Sequence, residues 1–227
     1  MTAFSDEDAA RASLYALLAR LFYRGPDAPL LARIAAAAET GPAGAEPGLP
    51  AAATGLRAAA TGPPGAAMGL PAAGTELPAL LAEAWMKLAR TCAGAGEESA
   101  LEYEDLFLGP GKAEVTLYLS HYWTAASRQR TLAELREDLA SLGAARRPGA
   151  FEPEDHAAAM FDLMRLLASK SPAPDVWSSQ QHVFRRYIAP AYPSLCGAIS
   201  QHPAARFYRV VAGLCTGFLD LEARALG

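Results

Sequence analysis

An all-α fold, a single helical domain of about eight to ten helices, is predicted by three observations. Large apolar residues recur at three- and four-residue spacing through most of the chain. Breaks containing Gly and Pro separate the periodic stretches. Strand-like composition is confined to Val115 to Trp123, which is short and has no evident partner strand, so it reads as a loop leading into a helix.

The elements follow in order. Ser5 with Asp8 opens the first helix, with Asp6 and Glu7 in the first turn, where the helix dipole favours anions. Leu14, Leu17, Leu18, Leu21 and Phe22 make one buried face, and Gly25-Pro26 closes it. A second, alanine-rich helix over residues 28–40 carries Leu30, Leu31 and Ile34. Residues 41–75 are a different material: Gly, Pro and Ala with almost no charge, including Gly62-Pro63-Pro64-Gly65. Too little apolar area is available there to offset the entropy of ordering, so the segment reads as an insertion, with a short helix near residues 51–60.

Periodicity resumes at Pro78, with Leu80, Leu81, Trp85 and Leu88 on one face. The next helix starts near Glu97, carries Leu101, Tyr103, Leu106 and Phe107, and stops at Gly109-Pro110-Gly111. Leu132, Leu135, Leu139 and Leu142 mark another, closed by Gly143. Arg146 to Ala150 reads as a linker between two sub-lobes, about residues 1–145 and 151–227. Beyond it, Glu152-Pro153 opens a helix with Pro at its first position and Glu154-Asp155 at its positive end. Ala157, Met160, Phe161, Met164 and Leu167 are its buried stripe. Helices over about residues 175–188, from Pro190 and Pro193, and over about residues 203–225 complete the chain.

Composition narrows the function. The chain has 227 residues, enough for one sizeable domain, and a net charge of −4, so no basic excess drives sequence-independent nucleic-acid binding. Cys92, Cys196 and Cys215 are scattered, which argues for buried free thiols rather than disulfides or a thiolate metal site. Met1 to Asp8 lacks a basic leader, and no stretch approaches the ~18 apolar residues of a membrane span. A soluble, cytoplasmic protein is expected.

Familiar catalytic patterns are missing. G-x-S-x-G, H-E-x-x-H and a strand-borne G-x-G-x-x-G do not occur. Gly109 to Lys112 lacks the spacing, the following Ser or Thr and the preceding strand of a phosphate loop. His121, His156, His182 and His202 form no metal-binding helical pair. Arg146-Arg147 lies mid-chain before Pro148, far from where an export signal sits.

Two linked segments remain. The first is Glu102 to Gly111, with Tyr103, Leu106 and Phe107 ahead of Gly109-Pro110, followed by Leu117 to Tyr122. The second is Glu152-Pro153-Glu154-Asp155-His156, followed by Phe161 and Met164. Together they resemble the boxes of the twin-arginine-signal-binding redox-enzyme maturation chaperones, the TorD-like group of the trimethylamine-oxide and dimethyl-sulfoxide reductase chaperones. Gln181-His182, Ala189-Pro190 and Phe207-Tyr208 fit the same pattern, whereas Tyr192 stands where Trp is common nearby. Gly111 to Tyr118 and the helix at Leu132 to Leu139 look most like the subset found with formate dehydrogenases.

The resemblance implies a non-enzymatic chaperone without cofactor or metal of its own. Its partner would be a molybdenum- or tungsten-cofactor oxidoreductase subunit, held through its twin-arginine leader, its unassembled body, or both. It implies peptide-binding candidates at Tyr103, Leu106, Phe107, Glu152, Asp155 and His156. The residues themselves leave alternatives open. Tyr103, Leu106 and Phe107 also suit a plain core, and Asp155 a helix start. His156 also suits a structural hydrogen bond, and Trp85 and Trp123 core packing. A second function, handling a molybdopterin nucleotide at Gly109 to Lys112 and at helix N-termini, also remains. The protein is expected as a monomer or a dimer that exchanges lobes.

Overall fold

In a computed structural model, the described residues are 6–39, 56–58, 78–109, 113–146, 153–170 and 173–227. Among them are nine α-helices: α1 Asp6–Tyr23, α2 Ala28–Glu39, α3 Ala79–Ala93, α4 Glu97–Tyr103, α5 Arg128–Ser141, α6 Ala157–Ala168, α7 Pro174–Val183, α8 Tyr192–Gln201 and α9 Phe207–Leu226. The fold is a single all-α domain. Two short strands, β1 Leu56–Ala58 and β2 Ala144–Arg146, pair antiparallel with Leu56 opposite Arg146. The helix expected near residues 51–60 is therefore a strand at 56–58, and Arg146 belongs to a strand rather than a linker. Elsewhere the 41–75 insertion, and residues 147–150, lie outside the described residues.

The core is built around α1 and α6, which pack along each other. The sequence predicts one buried face for α1, yet every residue from Ala10 to Phe22 is buried. Ala12, Ala16 and Ala19 fill the remaining sides, and small side chains let neighbouring helices close on all of them. α6 is alike: all residues from Ala157 to Met164 are buried. α2 lies on α3, and α3 and α8 on α9, so helices from both sides of residues 147–150 feed one hydrophobic cluster. Trp85 and Trp123 are buried in it.

Charges inside the bundle are paired. Arg11 Nε and Nη2 each donate to a Glu222 oxygen at 2.7 Å, Tyr15 Oη donates to Glu222 Oε2 at 2.8 Å, and Arg11 Nη2 also reaches Gln180 Oε1 at 2.8 Å. Burial works against the Arg11 charge, but Glu222 outweighs it and raises the guanidinium pKa. Burial, then Glu222, pushes the Tyr15 hydroxyl far up, so it stays a donor. On α6, Arg165 Nε meets Asp162 Oδ1 at 2.5 Å. The three cysteines are buried and free, and burial lifts the Cys92 thiol to about 12.

Helix ends shift where tertiary partners intervene. α6 starts at Ala157, not at Pro153: residues 153–156 instead make a turn and a one-residue antiparallel bridge between His156 and Tyr118. That bridge is the partner the Val115 to Trp123 stretch lacks in sequence, and a short 3₁₀ turn follows at Leu119–Tyr122. α9 starts at Phe207 rather than near 203. α4 and α7 each run on into a π-helical turn, Glu104–Leu108 and Phe184–Ile188. Gly109 ends the first of these at φ 47°, a backbone only glycine adopts without strain. At Gly25 a Cβ would sit 3.0 Å from Ala100 Cα, so glycine also lets the α1–α2 loop touch α4.

Candidate functional site

The first box lies on α4 and its π turn. Its apolar residues point inward: Tyr103, Leu106 and Phe107 are all buried. Tyr103 and Phe107 join Phe22 and Tyr208 in an aromatic cluster, with ring centroids 4.9 Å apart for Phe107 and Tyr208 and 5.2 Å for Tyr103 and Phe107. Tyr103 Oη donates to Phe22 O at 3.2 Å and Tyr208 Oη to Leu21 O at 2.9 Å, which ties α4 and α9 to the end of α1. Burial, with Tyr103 and Glu102 nearby, pushes the Tyr208 hydroxyl well up. These bonds occupy both phenols, as buried hydroxyls require.

The second box forms the entry to α6. Glu152 lies outside the described residues. Glu154 faces Arg136 at 3.7 Å. Asp155 is buried, and its carbonyl accepts from Leu119 N–H at 2.9 Å; Ala157 N–H donates to Leu117 O at 2.8 Å. Asp155 thus precedes the helix instead of sitting in its first turn. His156 is the N-cap: its Nδ1 accepts from Ala158 N–H at 3.2 Å. A ring nitrogen that accepts carries no proton, so this geometry assigns the proton to Nε2. The imidazole stands edge-on to Tyr118, 5.5 Å between centroids.

The fold brings the boxes together. Tyr103, Phe107 and Leu108 of the first, His156 of the second, Tyr118 from between them and Arg24 at the end of α1 all line one cavity of about 150 Å³. Leu108 is 58% exposed and Tyr118 38% exposed, so each offers apolar surface at its mouth. Sequence reasoning missed both as site residues. Leu108 lies inside the box, and its position beside Gly109 was the available cue. Leu106 and Asp155 do not line the cavity.

The outer face of α4 builds a second concavity. Glu98, Leu101, Glu102 and Asp105 follow the i, i+3, i+4, i+7 spacing and line a groove of about 700 Å³ against Arg206, Phe207 and Val210 of the α9 entry. Glu102 crosses to the positive end of α9. Its oxygens accept from the backbone N–H groups of Arg206 at 2.9 Å, Phe207 at 3.0 Å and Tyr208 at 2.8 Å. The i, i+4 acid pattern could have revealed this face in the sequence.

Among the described residues, no group of His, Cys, Asp and Glu could hold a metal ion, and no helix is long and apolar enough to cross a membrane. No curated protein matches the chain. A family model, that of the nitrate reductase delta subunit, matches residues 75–196, more than half of the chain, and takes in both boxes. By that match the chain belongs to the nitrate reductase delta subunit family, a family of molybdoenzyme maturation chaperones.

Proposed function

We propose that the protein is a cytoplasmic chaperone that binds the twin-arginine leader, the unassembled body, or both, of a molybdenum- or tungsten-cofactor oxidoreductase before its export. It works by binding, without turnover. The client is a formate dehydrogenase, on the strength of the Gly111 to Tyr118 and Leu132 to Leu139 segments. One observation carries the reading: two boxes far apart in sequence meet around one cavity, with Leu108 and Tyr118 exposed at its mouth. Apolar surface beside a pocket suits an apolar peptide segment. Tyr103, Phe107 and His156 form the wall, and Leu106 and Asp155 hold it in place. The protein acts as a monomer or as a dimer exchanging lobes; exchange would trade the α1–α6 contact within one chain for the same contact between two.

The test is co-purification of the full chain from its native cytoplasm, with mass spectrometry of what stays bound. An oxidoreductase subunit is expected with the wild type and is depleted with Tyr118→Ala and Leu108→Ser at unchanged melting temperature. Recovery of no redox subunit while the enzyme is expressed overturns the reading.

A further inference from the structure

A groove of about 700 Å³ is walled by the face of α4 that the core does not use. Its lining is apolar at Ala95, Leu101, Phe207 and Val210, and Leu101 stands 53% exposed. At about 700 Å³ it has the size of sites that enclose several side chains. Three acidic residues, Glu98, Glu102 and Asp105, and one basic residue, Arg206, line the groove. Glu102 is fixed by the α9 backbone; Glu98 and Asp105 are exposed, with Glu98 Oε1 accepting from Gly96 N–H at 3.2 Å.

We infer that this groove docks the basic end of a client peptide, a segment in which arginines adjoin an apolar stretch. The inference rests on the chaperone reading above and adds a location for the charged half of the peptide. Charge complementarity selects the occupant: an apolar floor with excess carboxylate at its edge matches apolar side chains next to guanidinium groups, which carboxylates bind in forked geometry. The chain's own insertion does not fit, because residues 41–75 contain a single basic residue, Arg57, and that residue belongs to β1. The box helix then serves two surfaces. Tyr103, Leu106 and Phe107 anchor it in the core, and Glu98, Leu101 and Asp105 face the peptide.

The test uses the full chain and a synthetic peptide with two adjacent arginines followed by an apolar stretch. The control peptide carries glutamine at both arginine positions. Fluorescence anisotropy reads affinity, and thermal melting checks each variant. Wild type is expected to prefer the arginine peptide by about tenfold at low salt, as a few rim ion pairs allow. The double variant Glu98→Gln, Asp105→Asn is expected to lose that preference, and Leu101→Ser to weaken both peptides. A double variant that keeps the full preference overturns the groove. If Tyr118→Ala alone then abolishes binding, the chaperone reading stands without it. Absence of peptide binding by wild type, with redox subunits still co-purifying, overturns the groove only; absence of both overturns both. Self-association that the double variant removes overturns the client peptide in favour of a second copy.

Discussion

α4, which the first box closes, and α6, which the second box opens, are built in opposite ways. α6 is enclosed from Ala157 to Met164, and even its charged Asp162 and Arg165 are buried as a pair. α4 is divided: Ser99 and Tyr103 face the core, while Glu98 and Leu101 face solvent. A helix enclosed on every side can serve function only through its end. A two-faced helix has surface left for a partner. The difference teaches that one box can sit on a helix that holds the bundle together while the other sits on a helix that also presents a surface.

The comparison breaks most readily at α6. Phe161→Ala removes a ring packed between Tyr15 and Phe22 and is expected to cost about 3–5 kcal/mol. Urea unfolding measures it; a loss below that of a surface substitution would mean α6 is not central. Glu102→Ala comes next. It strips three backbone N–H groups at the α9 entry of their acceptor, for a loss of about 1–2 kcal/mol by the same assay. His156→Ala deletes the cap of α6 and is expected to cost about 1 kcal/mol, with most of that restored by Asn, a good N-cap. Client binding measured on the Asn variant then separates a peptide contact from a cap: a stable variant with lost binding puts His156 in the site.

The smallest effects belong to exposed groups. Leu101→Ser is expected to leave stability within about 0.5 kcal/mol of wild type while weakening peptide binding, the reverse of Phe161→Ala. At Asp27 burial opposes the charge, but Leu30 N–H and Arg20 prevail and hold the carboxyl below its ordinary 3.8. A folded pKa below the unfolded one gives stability that is present above 3.8 and lost as pH falls through the folded value. Asp27→Asn is therefore expected to flatten the acid side of the stability profile and leave its shape above that range unchanged.

Much of this was legible in the residues. The apolar spacing of α1, α2 and α3 marked their extents closely, and Gly25-Pro26 marked the end of α1. Scattered cysteines correctly meant free buried thiols. The leucines of α5 marked its body but missed its polar first turn at Arg128. The box residues Tyr103 and Phe107 were legible as important, but core and groove use the same side chains, and apolar identity alone does not separate them.

By itself the sequence determined the helical class, the position of most helices and the two boxes, because those depend on local spacing, propensity and breakers. Tertiary structure alone decided the rest. The α6 start moved to Ala157 because Leu117 and Leu119 take up the backbone groups flanking His156, and the α9 start moved to Phe207 because a carboxylate from α4 caps it. Which face of α4 met solvent was likewise settled by α1 and α9 closing over the other, a long-range choice among faces that local pattern leaves open.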